Sequence, residues 1–370
     1  MKIGVITFSQ SKDNYGQMLQ CYALQSYLRG LGHNPYLIQY EQEPPDRARF
    51  KWYKIPSYLF HFFDYCRWFI NNRKLSKQKQ QYAVKNVNTD RKFASFLKDN
   101  MEITQLYNKK ELLTNPPIAD AYICGSDQIW KGDDIYYLSF APKGSKKIAY
   151  APSFGGVEKF PSATEQMIID QLKSFKAISV REKSGVELCR RFGCSNVKHV
   201  VDPTLLLSVK DYGEIIEHVE AKNTIFLYLL GNPIDCEISS IYEFAHKMNK
   251  EVVYVCSQGR DDNYKKTIAT VGEWLGYLSQ ADLVITNSFH CVVFSLLFHK
   301  QFISIPLSKG YERMNGRIEE LLENSGLYDR ILKDSISEIA NNKADFSRFE
   351  NFVETQRQLS KTFLTEALSM

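Results

Sequence analysis

The chain has 370 residues, of which 44% are hydrophobic and 24% are charged, and its formal net charge at pH 7 is +5. This composition is typical of a soluble globular protein with room for two domains of ordinary size. The mild positive charge permits an anionic substrate or a membrane surface but requires neither.

The eight cysteines form no CxxC pair and show no metal-ligand spacing, so we predict no metal site and expect a reduced, cytoplasmic protein. The N-terminal sequence MKIGVITF enters a strand at once and lacks the regions of a signal peptide. No window reaches the roughly 18 apolar residues of a membrane-spanning helix.

In the first half of the chain, strands alternate with helices, which predicts a parallel sheet. The predicted strands are 2–8, 36–40, 121–124, 146–151, 177–180 and 197–201. The predicted helices are 17–31, 91–100, 109–113, 164–175 and 183–192. The opening strand–helix–strand unit is common to Rossmann-like domains. Because it carries no GxGxxG sequence, we predict no dinucleotide cofactor.

Residues 44–92 differ from this pattern, because aromatic side chains alternate there with lysines and arginines. One interpretation is a helical insertion that packs its aromatic rings on the core. A second is a basic amphipathic helix on an anionic membrane, and a third is single-stranded nucleic acid binding. We keep peripheral membrane contact through 44–92 as an expectation and expect no nucleic acid partner.

The second half repeats the alternation. Strands are predicted at 224–230, 251–255, 283–285 and 302–305, and helices at 238–249, 270–280, 291–298, 313–325 and 349–369. We place the domain boundary near Leu207, with an N-terminal domain of residues 1–206 and a C-terminal domain of residues 207–370. Two Rossmann-like domains facing across a cleft form the glycosyltransferase-B architecture, and we expect the C-terminal helix to cross back to the first domain.

A histidine lies between a buried strand and an apolar helix in the stretch 281–305. Ligands of open α/β sheets bind at the carboxyl ends of strands, and helix N-termini favour anions. His290 therefore lies where a negatively charged substrate is expected.

Five short motifs occur in order along the chain. They are 14–16 (NYG), 125–130 (GSDQIW), 179–182 (SVRE), 202–206 (DPTLL) and 286–290 (TNSFH). Together they resemble the polysaccharide pyruvyl transferase family, from the first loop to about Leu327, with 44–92 outside the resemblance.

The resemblance implies that the pyruvyl group of phosphoenolpyruvate is transferred onto two hydroxyls of one sugar. The product is a cyclic ketal with a free carboxylate, and phosphate leaves. The implied acceptor is a bacterial capsule or exopolysaccharide precursor, an oligosaccharide linked to polyprenyl diphosphate at the inner face of the membrane. Phosphoenolpyruvate is then a co-substrate, and no cofactor is expected.

The donor carries a carboxylate and a phosphate, which arginine binds well because its planar fork is bidentate. Arg181 follows an apolar strand, where packing does not call for an arginine, and relatives carry a donor-binding arginine there. The alternative is a salt bridge to Glu182 or Glu187. His290 is the candidate for proton transfer near neutral pH, although such a histidine could instead cap the helix.

Further donor contacts are predicted within the motif 286–290 and after it. Relatives carry a basic residue near Lys309, and Arg313 and Arg317 share one helix face, of which we favour Arg317. Asn287 and Ser288 are also assigned to the donor. Some relatives have an arginine at the position of Ser288 and many have a glycine at that of Cys291. We expect Lys309, Arg313 or Arg317 to replace the missing arginine.

The acceptor is assigned to polar residues at strand ends of the first domain, which are Asn14, Tyr15, Asp127 and Gln128. The alternative is that they order the loops, with Asp127 capping a short helix that starts at Gln128. Asp202, which precedes Pro203, is expected to be structural at the domain junction.

Two other functions remain open. One is a nucleotide-sugar glycosyltransferase of the same architecture, with Glu312, Glu319 and Glu320 available for a ribose. The other is a non-enzymatic membrane-binding or nucleic-acid-binding protein built on residues 44–92.

Overall fold

A seven-stranded parallel sheet forms the first half of the chain in the computed structural model, which describes residues 1–11, 13–42 and 90–369. Its strand order is β3-β2-β1-β4-β5-β6-β7. The strands are β1 (Lys2–Ile6), β2 (Asn34–Tyr40), β3 (Ile103–Tyr107), β4 (Ala121–Cys124), β5 (Lys146–Ala149), β6 (Ala177–Val180) and β7 (Val197–His199). The helices are α1 (Tyr15–Gly30), α2 (Phe93–Asn100), α3 (Lys109–Thr114), α4 (Ser162–Leu172) and α5 (Lys183–Arg191).

Strand β3 was not predicted from the sequence. Its five residues, ITQLY, lie at the edge of the sheet and are half-buried or exposed. An edge strand needs no continuous apolar run, so its sequence does not stand out. The predicted insertion at 44–92 lies outside the described residues, apart from its last three.

A second parallel sheet, of four strands in the order β11-β10-β8-β9, forms the other half. The strands are β8 (Thr224–Tyr228), β9 (Glu251–Tyr254), β10 (Leu283–Thr286) and β11 (Phe302–Ser304). The helices are α6 (Val209–Tyr212), α7 (Ile238–Lys247), α8 (Val271–Gln280), α9 (Phe289–Leu297), α10 (Gly316–Asn324), α11 (Ile336–Asn341) and α12 (Ser347–Ser369). The predicted α/β class with two Rossmann-like sheets is confirmed. The domain boundary near Leu207 stays a prediction. The assignment of the acceptor to the first domain and of the donor to the second stays a prediction as well.

The starts of several helices follow from their sequences. Thr270 and Glu273 form a capping box at α8, in which each side chain binds the backbone N–H of the other residue. At the start of α9 the hydroxyl of Ser288 accepts from the backbone N–H of Cys291. The four residues of β10 are all buried, so the polar residues that follow emerge at the carboxyl edge of the sheet.

Helix α1 packs against the second sheet as well as the first. The ring of Tyr15 stacks on that of Trp274 in α8, with centroids 5.5 Å apart. Its hydroxyl donates to the carbonyl of Ala269 at 2.7 Å. One continuous apolar core therefore spans both sheets, and the start of α1 is fixed where the two halves meet.

The last helix, α12, returns to the first half of the chain. Arg357 donates from Nε to the carbonyl of Leu205 and from Nη2 to that of Leu207, both at 2.7 Å. Near the end of α12, Phe363 packs against Tyr150, with ring centroids 6.3 Å apart. Among the described helices, none is both long and apolar enough to cross a membrane.

We expect Arg357→Ala to destabilise the protein, because the carbonyls of Leu205 and Leu207 lose a charged donor that bridges the two halves. Hydrogen bonds to charged groups contribute about 1.5–3 kcal/mol each, and partial exposure places the expected loss at about 1–3 kcal/mol. Urea unfolding measures it. Lys361→Ala, exposed on the same helix, is the control, and equal effects of the two substitutions would contradict the bridging role.

Candidate active site

The turn at 286–288, which leads into α9 and His290, is held in place by the side chains of its own residues. Thr286 donates its hydroxyl to the carbonyl of Tyr228 at 2.6 Å and accepts from the N–H of Ser288 at 3.0 Å. Asn287 binds the backbone N–H and carbonyl of Leu230. Asn287 and Ser288, which the sequence analysis assigned to the donor, thus use their side chains to fix the turn.

His290 lies in the first turn of α9 and is largely buried against the first turn of α1. Its Nε2 lies 3.6 Å from Oδ2 of Asp202. The opposite edge of the ring lies against Gly16, where a Cβ would come within 2.2 Å of Nδ1. Only glycine at position 16 leaves room for the imidazole in this position, which gives the NYG motif a physical reason.

Asp202 is the centre of the site. Its buried carboxylate accepts hydrogen bonds from Ser126 Oγ (2.7 Å), Arg181 Nη1 (2.7 Å), Thr204 N (3.0 Å) and Thr204 Oγ1 (2.6 Å). Burial alone would raise the pKa of Asp202, but His290, Arg181 and Thr204 outweigh it and hold the pKa well below its usual range.

The expectation that Asp202 is structural at the domain junction stays a prediction. The carboxylate caps the short 3-10 helix Pro203–Leu205, and it also binds Arg181 and lies near His290. Asp202 lies three residues beyond the end of β7, whereas Arg181 directly follows β6.

Arg181 is almost fully buried, and two neighbouring carboxylates offset its positive charge. Besides Asp202, it contacts Glu182, with Nε 3.4 Å from Oε1, so the alternative salt bridge exists alongside the one to Asp202. Burial lowers the pKa of Arg181, yet Glu182 and Asp202 raise it more, so the guanidinium stays charged. Its Nη2 is buried and donates to no described residue.

Arg317, on α10, lies beside Arg181. The two guanidiniums are 5.7 and 4.8 Å, respectively, from the ring centroid of Phe289. Burial and the like charge of Arg181 lower the pKa of Arg317 to about 10, so it is still protonated at neutral pH. Its Nε is buried and has no described hydrogen-bond partner. A buried and a half-buried guanidinium, each with a buried donor that has no described partner, favour an anion between them.

One cleft between the two halves, with a cavity volume of about 40 Å³, is lined by residues from both of them. Its lining includes Arg181, Asp202, Phe289, Arg317 and Glu320, and among the described residues His290 lies behind it, next to Asp202. Phe289 supplies an apolar wall beside the two guanidiniums. Phe289 was not singled out in the sequence.

The other predicted cations lie elsewhere. Lys309 is exposed and lines a separate hollow with Arg260 and Asp262. Arg313 forms an ion pair with Glu158 at 3.1 Å, and both side chains are mostly exposed. Of the three candidates for replacing the missing arginine, only Arg317 lines the cleft with Arg181.

Two of the predicted acceptor residues lie at the start of α1. Asn14 caps the helix by accepting from the N–H of Gln17 at 3.3 Å, and its Nδ2 donates to Gln258 Oε1 at 3.0 Å. Tyr15 is fully buried. A sugar cannot touch Tyr15 in this conformation, so its assignment is corrected to packing between the two halves.

The other two, Asp127 and Gln128, belong to an irregular loop. Asp127 accepts from the N–H of Gln128 at 2.8 Å, but no helix follows, so the cap interpretation is wrong. The backbone of Asp127 has φ of 75° and bridges Pro152 instead. Gln128 binds Lys131 through its side chain, and acceptor binding by both residues stays a prediction.

We expect Asp202→Asn to destabilise the protein by about 3–5 kcal/mol at neutral pH, because it leaves Arg181 buried without its main counter-charge. The pKa of Asp202 is depressed in the folded state, so its contribution is complete above the unfolded pKa of about 3.9. It is lost as the pH falls below that value.

Urea unfolding at several pH values tests this expectation. The gap between wild type and Asp202→Asn should be widest near neutral pH and narrow below about pH 4. The control is Asp235→Asn, at an exposed position, expected to stay within about 0.5 kcal/mol of wild type. A gap that does not change with pH would show that the charge of Asp202 is not what matters.

Comparison with solved structures supports the fold. A Listeria monocytogenes protein assigned as a UDP-N-acetylglucosamine 2-epimerase has a TM-score of 0.52 at 9% identity, covering 95% of this chain and 93% of its own. MurG of Acinetobacter baumannii has a TM-score of 0.45 at 10% identity, covering 100% and 99%. At 9% identity, the likeness to the Listeria protein shows the fold alone, and it agrees with the predicted two-sheet α/β architecture.

Comparison at the sequence level shows the family. A search of curated proteins finds no match. The sequence model of the family described as polysaccharide pyruvyl transferase matches residues 14–309, a span that covers well over half of the chain and contains Arg181, Asp202 and His290. The chain belongs to the polysaccharide pyruvyl transferase family.

Proposed function

We propose that the protein transfers the pyruvyl group of phosphoenolpyruvate onto two hydroxyls of one sugar residue, forming a cyclic ketal and releasing phosphate. The observation that carries this proposal is the pair of neighbouring guanidiniums of Arg181, which is buried, and Arg317, which is half-buried, together with a histidine held near a buried carboxylate. This arrangement combines an anion site with a group that can transfer protons.

Phosphoenolpyruvate matches the chemistry of the cleft. It carries two anionic groups on a small unsaturated carbon skeleton. Arg181 offers Nη2 and Arg317 offers Nε, both without a described partner, while the ring of Phe289 offers an apolar surface to the carbon skeleton. Lys309 lies at another hollow, and we assign it no part in donor binding.

The reaction needs two proton deliveries and two proton removals, and His290 can perform all four in turn. Protonated His290 gives its proton to C3, and the π electrons form the new C–H bond. The first sugar hydroxyl forms its bond to C2 and loses its proton to His290. His290 then protonates the leaving phosphate oxygen as the C2–O bond breaks. The second hydroxyl attacks C2 and returns a proton to His290.

Asp202 and Arg181 have distinct tasks in this sequence. The carboxylate of Asp202 stabilises the protonated imidazole, which forms twice in each turnover. Arg181 and Arg317 stabilise the phosphate as negative charge builds on it. No oxidant or reductant is needed, because the electron pairs only move between C–C, C–O and O–H bonds.

The acceptor we propose is an oligosaccharide precursor linked to polyprenyl diphosphate at the inner face of the membrane. The motifs support it only through the family, whose name specifies a polysaccharide. Membrane contact through 44–92 remains part of this proposal. All but the last three residues of this segment lie outside the part of the chain that the structure describes.

The alternative, transfer of a sugar from a nucleotide donor, finds less support in the site. Glu320, a candidate ribose contact, already lies 3.7 Å from Lys183 Nζ and 3.6 Å from His199 Nε2. Thermal shifts with phosphoenolpyruvate and with uridine or guanosine diphosphate separate the two functions. A larger shift with a nucleotide would favour the alternative.

We expect His290→Gln to lower kcat by roughly 10²–10⁴-fold, because the amide cannot transfer protons. Phosphate release from phosphoenolpyruvate and the mass of the acceptor product measure the reaction. His246→Gln, at an exposed position on α7, is the matched control and should keep full activity. Full activity of His290→Gln would remove the histidine from the chemistry.

We expect Arg317→Gln to raise the KM for phosphoenolpyruvate by about tenfold or more, because one charge-assisted donor to the anion is lost. Arg313→Gln, whose side chain is mostly exposed and paired with Glu158, serves as the control. Initial rates over a range of phosphoenolpyruvate concentrations give both KM values. If Arg313→Gln has the larger effect, the anion lies outside the cleft described here.

A further inference from the structure

A second hollow lies at the carboxyl end of the four-stranded sheet. It is formed by the segments that follow β8 and β9 and by Lys309, and its cavity volume is about 550 Å³. This lies within the range of ligand pockets, about 300–1,000 Å³. Its charged and polar lining consists of Glu237, Arg260, Asp261, Asp262, Asn263, Tyr264 and Lys309.

One wall of the hollow is rigid. Asp262 accepts from the Tyr254 hydroxyl at 2.8 Å and from Arg260 Nε at 3.0 Å, and it forms an ion pair with Lys266. Tyr264 stacks on Tyr242 with centroids 4.8 Å apart and an angle of 15°. This wall therefore presents an ordered carboxylate, guanidinium and aromatic ring.

Three further lining residues carry exposed polar side chains. Glu237, Asn263 and Lys309 are exposed, and no described residue forms a hydrogen bond or ion pair with their side chains. They provide a carboxylate acceptor, an amide that both donates and accepts, and an ammonium donor. These groups are available to a ligand that bears several hydroxyls.

The pairing of its cations distinguishes the hollow from the donor cleft. Of the two cations in its described lining, Arg260 is paired with Asp262, whereas in the cleft both arginines have a donor without a described partner. Lys309 among the carboxylates of Glu237, Asp261 and Asp262 forms no bidentate anion site, while carboxylates, an amide and an ammonium group can all hydrogen-bond to sugar hydroxyls. An aromatic ring adds a surface on which the apolar face of a sugar can pack.

Hydrogen bonds connect the hollow to the turn at 286–288, which precedes His290. Its rim begins after Leu230, whose N–H donates to Asn287 Oδ1 at 2.7 Å. The next residue, Gly231, donates to the carbonyl of Gln258 at 2.9 Å, and the side chain of Gln258 accepts from Asn14 at 3.0 Å. Because β8, β9 and β10 run parallel in one sheet, the hollow and His290 lie at the same carboxyl edge of that sheet.

We propose that this hollow is a carbohydrate subsite that holds the sugar residues of the acceptor next to the one that reacts. The subsite deepens the function proposed above and rests on it for the identity of the acceptor. It places part of the acceptor on the second sheet, although the sequence analysis assigned the acceptor to the first domain.

Saturation-transfer NMR without phosphoenolpyruvate tests the subsite independently of catalysis. The probes are trisaccharides of glucose, galactose, mannose and N-acetylglucosamine, with uridine diphosphate as the anionic comparison. We expect at least one trisaccharide to bind the wild type and to lose most of its signal in the double variant Glu237→Gln/Asn263→Ala. The control is Glu243→Gln/Asn341→Ala, at two exposed positions away from the hollow, which should bind like the wild type.

Three results would overturn the subsite: no trisaccharide binds the wild type, the double variant binds as well as the control, or the double variant weakens only uridine diphosphate. A thermal melt of both variants confirms that they are folded. If the trisaccharide result holds but the wild type releases no phosphate from phosphoenolpyruvate, the subsite stands and the proposed pyruvyl transfer fails.

Discussion

The buried carboxylate of Asp202 is the interaction on which the site depends. It is bonded to Arg181 and Thr204 and lies near His290, so one negative charge lies next to both the guanidinium and the imidazole. A buried carboxylate without these partners would be neutral or would destabilise the fold. The same contacts that stabilise Asp202 therefore keep Arg181 and His290 close to each other.

The site exists only where the two halves of the chain meet. Arg181 and Asp202 lie in segments that follow strands of the first sheet. Phe289, His290 and Arg317 lie in helices that follow strands of the second sheet. Their separation is fixed by packing between the halves, in which the buried ring of Tyr15 stacks on α8 and α12 returns to the first sheet. A rigid junction of this kind suits a reaction that must bring a donor and an acceptor together in one orientation.

Much of the fold could be predicted because its central strands are short apolar runs. The strands at 121–124 and 177–180 have the predicted bounds, since each is bordered by polar residues on both sides. Strand β3 was missed because an edge strand does not have to be apolar. The loop at Asp127 was misinterpreted because a residue with positive φ can resemble a helix cap in sequence.

The site was only partly predictable, for a physical reason. Arg181, His290 and Arg317 were recognised as charged or titratable groups in unusual positions. Asp202 was expected to be structural, because its two charged partners are distant in sequence. Tyr15 was assigned to the acceptor because a tyrosine in a motif can serve packing as well as binding, and it is fully buried. Lys309 was assigned to the donor because relatives carry a basic residue near that position, yet it lines another hollow.

A double-mutant cycle between Asp202 and His290 tests the central claim most directly. It compares kcat/KM for wild type, Asp202→Asn, His290→Gln and the double variant, after each has been shown to fold. If Asp202 acts through the imidazole, Asp202→Asn should cost less activity when added to His290→Gln than when added to the wild type, because only its effect through Arg181 then remains. Losses that multiply in the double variant would show that Asp202 and His290 act independently, which would contradict the account.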